Sequence, residues 1–563
     1  MNRFPLKQAL AGGLVLSFAA AALAGCSGNA EEPKPTANGG NEAMASQAES
    51  NEISVDPLWK YPETIKVTQV IGYGDPEDPK TPKGLTPETN AYLSKLKDML
   101  NIEVEYLWQV PSDQAQQKFS LAIASGDLPD MFEIGITDYE KFKEDGLLED
   151  LTEVYEKYAS PELKAFVEAD GGKTLDMYKS EGKILGLPNF EDPFMSAQIL
   201  WLRKDWLDKL QLDAPQTLDE LEKVAEAFVT GDPDGNGQND TYGIAFNKEL
   251  ISWGFDTRGF FYTMGAYPKA WIKDAEGKLV PGEIQPETKV ALERMNQWYG
   301  NGLIDKEFAF KDTDKVVEDI VAGKVGISFG EWWYPNWPLN MNRDQNPGAE
   351  WVAIELPSYN GKPGETLVPS QRLSRIYGVR KGFEHPEAVI KMANFYLELE
   401  KEAYKDEVKA ENGYVYNWYQ PRFYNPYDFE TAYTEVNAAI ENKQDEIDSM
   451  NATSIKVFDA AKKYLAGDET MWGMYVSRAA VDGGWGITRT LRDKPYVVNE
   501  FYGTATPTMT EKLTSLHKMT DETFTKIIMG SSPIDEFDKY VESWKKLGGG
   551  DITNEVNEWY SNR

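Results

Sequence analysis

Between Thr64 and Gly135 the apolar residues switch repeatedly between a two-residue and a helical period, and that alternation limits the fold more than any other feature. Thr64-Ile65-Lys66-Val67-Thr68-Gln69-Val70-Ile71 alternates polar and apolar, as a half-buried strand does. Thr86-Pro87 is expected to open a helix running to about Leu100, since proline is tolerated in a first turn. Ile102, Val104, Tyr106 and Trp108 alternate again. A helix from about Ser112 to Ala124 closes at Ser125-Gly126, and residues 128–135 read as a short strand. Strand, helix, strand, helix, strand is the order of a parallel α/β sheet.

The remainder continues in kind. Thr217-Leu218-Asp219-Glu220 has the form of a capping box, followed by Leu218, Leu221, Val224, Ala225 and Phe228 on one helical face. Helices are expected at 286–299, at 315–322 and after Pro386, with strands at 326–330 and 351–354. Residues 400–530 read as mostly helical. Ser532-Pro533-Ile534-Asp535 precedes a last helix with Phe537, Tyr540, Val541, Trp544 and Leu547 on its apolar face, and Gly548 is expected to end it. Trp206, Trp298 and Trp544 lie on helical faces and are expected in the core. No internal repeat is found.

A chain of 563 residues exceeds one ordinary domain, so at least two lobes are expected. Its net charge of −34 repels nucleic acid and anionic headgroups. The two histidines, His385 and His517, are far apart in sequence, which leaves histidine–zinc sites and histidine triads poorly supported. The single cysteine, Cys26, follows Arg3, Lys7, an uncharged apolar run and Leu23-Ala24-Gly25. Residues 1–25 therefore read as a signal peptide with a small-residue cleavage site. The cysteine at the cut resembles the lipobox of bacterial lipoproteins, which implies a diacylated Cys26 as the new N-terminus. Two acyl chains give stable anchoring. An ordinary secretory signal is the alternative. Residues 26–55 read as a flexible tether, and no later apolar run approaches membrane-spanning length.

Several phrases together resemble one family. They are Ala124-Ser125-Gly126-Asp127-Leu128-Pro129-Asp130, then Leu200-Trp201-Leu202-Arg203-Lys204-Asp205-Trp206, Gly323-Lys324-Val325-Gly326-Ile327-Ser328-Phe329, and the stretch from Ile527-Ile528-Met529-Gly530 to Trp559-Tyr560. The chain is similar to the family 1 extracellular solute-binding lipoproteins of carbohydrate ABC importers, with alginate-oligosaccharide-binding and maltodextrin-binding proteins as relatives. The resemblance implies an α/β, two-lobed periplasmic-binding-protein-like (type II) fold with crossover hinge strands. It implies a non-catalytic receptor, acting as a monomer on the extracellular face of the membrane. The receptor takes an oligosaccharide in the interlobe cleft and delivers it to the permease subunits. Crossovers are expected near 188–198, 326–331 and 378–384. Lobe one is then 56–192 and 331–382, and lobe two is 193–330 and 383–563. A surface glycoside hydrolase, or a sugar sensor or adhesin on the same fold, are the alternatives.

Residues 232–240, Asp-Pro-Asp-Gly-Asn-Gly-Gln-Asn-Asp, resemble the first nine positions of a calcium loop. Calcium takes six to eight hard oxygens. Asp232, Asp234, Asn236 and Asp240 are candidate side-chain ligands, and Gln238 offers its backbone carbonyl. Gly237 permits the sharp turn. The usual glutamate at position twelve is Gly243, and Thr241 stands where alginate-binding relatives carry an acid, so water or Thr241 would have to complete the shell. The expected role is structural. A solvated turn without metal is the alternative.

Sugar sites combine aromatic rings, which pack on the C–H face of a pyranose, with polar side chains that bond its hydroxyls. Trp332 and Trp333 directly follow a strand where lobes meet. Trp253 sits in a loop context beside a glycine, and Trp485 sits among glycines with no local side chain to shield it. Phe190 lies at the first crossover, Tyr73 follows the first strand, and Arg372 and Tyr377 flank a segment leading to the third crossover. These eight are the candidate ligand-binding residues. Arg258, Arg372, Arg375 and Arg422 are weighed as uronate-binding groups, with salt bridges to this acidic chain as the favoured alternative. A neutral or lightly charged oligosaccharide is expected, with a uronate-containing one as the other option.

Overall fold

The computed structural model describes residues 54–73, 85–238, 240–252, 254–370, 372–399, 418, 420–423, 425–447 and 452–562. Cys26, the signal and nearly all of the tether lie outside the described residues.

The strands Ile65–Tyr73 and Ile102–Pro111 pair in parallel, Ile65 opposite Ile102, and the helix Ala91–Leu100 makes the crossover between them. The helix begins later than expected. Thr86 and Thr89 bridge across a turn that contains Pro87, and Asn90 caps the helix by accepting from the Leu93 N–H. Asparagine is a strong N-cap, and it prevails over proline here. Asn101, at φ 58°, closes the helix in the left-handed region that asparagine tolerates. The third strand is shorter than expected, Met131–Ile134, because Asp130 is used as a tie. Its carboxylate accepts from the Thr68 N–H at 2.9 Å and hydroxyl at 2.7 Å, and pairs with Arg380 at 2.6 Å.

Arg372–Val379 is the central strand of this lobe. It runs antiparallel to Met131–Ile134 on one side and to Leu187–Glu191 on the other. Val67, Leu96, Ile102, Met131, Leu187 and Val379 form its core together with Ile390 and Phe395 of the helix Pro386–Leu399.

The second sheet has the order Trp351–Ile354, Ile199–Arg203, Val325–Gly330, Tyr242–Ile244. Every residue of Ile199–Arg203 is buried, so the segment reads as an apolar run rather than an alternation. Leu200 and Leu202 face a core that contains Trp206, Phe228, Trp298, Phe524 and Trp544. Ile199 and Trp201 face another that contains Tyr334, Trp351, Val368 and Trp472. The capping box at Thr217 and Glu220 is made as the sequence predicts. Trp206, Trp298 and Trp544 are fully buried, also as expected. Leu547 is exposed instead of buried. The last helix divides around Gly548, whose φ of 128° breaks it into Glu536–Trp544 and Gly550–Ser561.

Strand pairing corrects the expected lobe division. Trp351–Ile354 belongs to the second sheet, not to lobe one, and the helix Pro386–Leu399 packs in the first core, not in lobe two. The chain passes between the cores near 192–198. It passes again between Pro369 and Arg372 and between Phe423 and Asp428, not at 326–331 and 378–384. An isolated strand motif does not disclose which sheet it joins. Asp192, fully buried at the first crossing, is ion-paired with Arg492.

Lys391 fastens the chain entry to the first core. It is wholly buried, donates to the carbonyls of Asp56 at 2.5 Å and Ser54 at 3.4 Å, and lies over the Trp59 and Tyr158 rings. Burial pushes its ammonium down to about 8 from 10.5. Between those values the unfolded chain holds a proton that the native chain has released, so native stability rises with pH across that window. The stability of the wild type relative to Lys391→Met is expected to increase from pH 8 to about 10.5 in urea titrations. A constant difference would contradict this.

Candidate functional site

The strand Val325–Gly330 delivers the chain to Glu331, whose carbonyl accepts from the Trp201 indole N–H at 3.1 Å. The backbone then turns through Trp332 and Trp333 into a short helical turn, Tyr334–Asn336. The Trp333 indole N–H donates to the Glu331 carboxylate at 2.9 Å, and its ring stacks on Trp337 at 6.1 Å.

Trp332 faces Trp485 at 5.6 Å between ring centroids. Glycine makes this contact possible. A Cβ at Gly484 would stand 2.2 Å from the Trp332 carbonyl oxygen, and one at Gly483 would stand 1.9 Å from the Val476 carbonyl oxygen. The helix Gly484–Thr490 can therefore seat directly against the turn. The sequence reading of Trp485 as unshielded is corrected. Its ring is 3% exposed, held between Trp332 and Phe429, with Phe429 at 5.7 Å.

Glu191 and Arg372 sit opposite each other in the first sheet and pair at 3.0 Å. Farther along the same strand Arg375 pairs with Glu133 at 2.9 Å. A cavity of about 450 Å³ lies between the two lobes, lined by Glu191 and Arg372 from one and by Glu331, Trp332, Trp333 and Trp485 from the other. A second cavity of about 350 Å³ is lined by Trp108, Glu133, Arg375 and Arg422.

Four of the candidate ligand-binding residues, Trp332, Trp333, Arg372 and Trp485, are thus brought to one cavity. Two are not. Tyr377 is fully buried, its hydroxyl accepting from the Arg422 N–H at 2.9 Å, and burial pushes that hydroxyl up to about 12. Phe190 is 3% exposed and packs edge-on against Tyr427. Both were expected at the ligand; neither lines this cavity. Trp253 and the side chain of Tyr73 lie outside the described residues. Sequence reasoning missed Phe429, Met474, Lys456 and Arg478, which line the same cavity. They come from helices, where nothing in the sequence separates a cavity position from a packed one.

The acidic loop follows the helix Leu218–Thr230. Asp232 accepts from the Gly237 N–H at 3.2 Å, and the Asn236 amide spans Asp234 at 2.7 Å and Asp240 at 3.0 Å. Partial burial and the neighbouring Asp232 and Asp240 push the Asp234 carboxyl up. Relief of that crowding by a cation fits the donor set, which is all hard oxygen. Thr241 does not complete the shell: it is buried and donates its hydroxyl to the Phe228 carbonyl at 2.8 Å. Among the described residues no three acidic, histidine or cysteine side chains are gathered into a metal cage.

Two α/β lobes around an aromatic and ion-paired cavity define a two-lobed solute-binding protein. The chain belongs to the family described as bacterial extracellular solute-binding protein, whose profile matches residues 86–403. It is 26% identical to the polygalacturonan/rhamnogalacturonan-binding protein YtcQ of Bacillus subtilis (strain 168), over 84% of this chain and 88% of that one. Among solved structures, an HMO-binding solute-binding protein associated with an ABC transporter of Bifidobacterium longum infantis superposes with a TM-score of 0.61 at 18% identity, covering 88% of this chain and 98% of the other. The alginate-binding protein AlgQ2, solved without calcium ion, gives a TM-score of 0.57 at 18% identity over 90% and 99%.

Gly484→Ala is expected to lower stability by about 1–3 kcal/mol, the usual range for overpacking, and to separate Trp485 from Trp332. Denaturant midpoints and near-ultraviolet circular dichroism measure the two effects. A variant as stable as the wild type would show that the close approach is not required.

Proposed function

We propose that this protein is the receptor of an ABC importer, capturing an oligosaccharide between its lobes and handing it unaltered to the permease. The observation that carries this reading is the aromatic pair Trp332 and Trp485 on one side of a cavity whose other side holds the Glu191–Arg372 pair. The rings offer a flat apolar surface to sugar C–H groups, and the polar side chains are held in place to select hydroxyl positions. The glycan ligands named for YtcQ and AlgQ2 support the same substrate class. Closure of the lobes about the crossings encloses the sugar, and the permease reads the closed form. The protein works as a monomer, carried by a diacylated Cys26 on the outer face of the membrane. Calcium in the 232–240 loop is structural, with Asp232, Asp234, Asn236, Gln238 and Asp240 as donors.

Trp332→Ala combined with Trp333→Ala is expected to weaken oligosaccharide binding by about 30-fold or more, the ~2 kcal/mol mark of a dominant contact, while the fold is kept. Calorimetry against a glycan panel measures this, and mass spectrometry checks that the glycan stays intact. Undiminished affinity would remove the site; cleavage of the glycan would restore the hydrolase reading. Asp234→Ala is expected to lower the melting temperature in calcium but not in chelator. An equal drop in both would dismiss the metal.

A further inference from the structure

Arg478 ends the helix Trp472–Arg478 and lines the cavity of Trp332 and Trp485. Its guanidinium carbon stands 4.9 Å above the Trp332 ring and 5.5 Å above the Trp485 ring. One terminal nitrogen, Nη1, donates to Ser477 Oγ at 2.8 Å and to Asn336 Oδ1 at 3.2 Å. Among the described residues no carboxylate lies within ion-pair distance of it, and its other donors have no protein acceptor.

That is unexpected where acids outnumber bases 92 to 58. Three of the four arginines that the sequence marked for uronates behave differently, and the fourth, Arg422, lines the other cavity. Arg372 is held by Glu191, Arg375 by Glu133 and Arg258 by Asp256, at 3.0, 2.9 and 2.6 Å. Burial pushes the Arg478 guanidinium down to about 10, so its charge is kept at a cost that the two rings offset only in part. Lys456 is a second cation lining the cavity with no carboxylate partner among the described residues. The cavity's own acids are engaged. Glu191 is taken by Arg372, Glu331 by the Trp333 indole and by Arg258 at 3.7 Å, and Asp428 has a partner of its own.

We propose that this cavity recognises a carboxylate on the sugar: the ligand is a uronic-acid-containing oligosaccharide, with one ring on Trp332 and its carboxylate on Arg478. The claim rests on the oligosaccharide reading above and narrows it to acidic glycans. A guanidinium already fixed over two indoles presents its free donors to a planar anion, the geometry in which arginine outperforms lysine. A neutral sugar would leave that half-buried cation without an anionic partner. The negative net charge of the chain opposes an acidic glycan only over a Debye length, about 8 Å at physiological salt.

The test is calorimetry of the purified full chain, and of Arg478→Gln, against trimers of galacturonate, mannuronate and guluronate, each beside its carboxyl-reduced neutral counterpart. At least one uronide is expected to bind tenfold or more tighter than its reduced form. Arg478→Gln is expected to erase that ratio, weakening the uronide at least tenfold more than its reduced form. Equal affinity for a uronide and its reduced form overturns the proposal and leaves the oligosaccharide reading intact. So does an equal loss of both in Arg478→Gln, which would make Arg478 a prop for the indoles. If Arg478→Gln fails to fold, the wild-type ratio decides alone. Binding of no saccharide, acidic or neutral, overturns both readings.

Discussion

The double burial of one short strand governs both the fold and the position of the site. Ile199–Arg203 leaves the first crossing and enters the middle of the second sheet, with every residue buried. Its two faces belong to different cores, so the segment cannot shift by one residue without exchanging Leu200 and Leu202 for Ile199 and Trp201. Trp201 carries this constraint to the cavity, because its indole holds the Glu331 carbonyl from which the Trp332–Trp333 turn begins. The Trp332–Trp333 turn is thus anchored to the second sheet.

The electrostatics of the cleft follow from the excess of acid. Most arginines near it are neutralised within the chain, in pairs that fix side-chain direction: Arg372 with Glu191, Arg375 with Glu133. Such pairs contribute little net stability when half exposed. Their effect is to hold hydrogen-bonding groups in place before a ligand arrives. Arg478 departs from this pattern, since its charge faces two rings rather than a carboxylate.

Much of this was legible in the sequence. The βαβ start, the capping box at Thr217 and the tryptophans of helical faces depend on local periodicity and caps, which a sequence displays directly. Trp332 and Trp333 could be placed because they follow a strand end. What failed depends on partners distant along the chain. Trp351–Ile354 shows the same alternation whichever sheet receives it. Phe190 stands beside the first crossing and Tyr377 within a strand of the first lobe, and both are buried. Arg478, in the last turn of a helix, looks like any cation placed against a helix dipole. Its place over the indoles is set by contacts between segments far apart in the chain.

The decisive measurement is a crystal structure grown with the saccharide that most raises the melting temperature. A sugar ring stacked on Trp332 between the closed lobes, within contact of the Glu191–Arg372 pair, is expected. Sugar bound outside this cavity, or inside it without contact to Trp332, would show that these residues do not form the binding site.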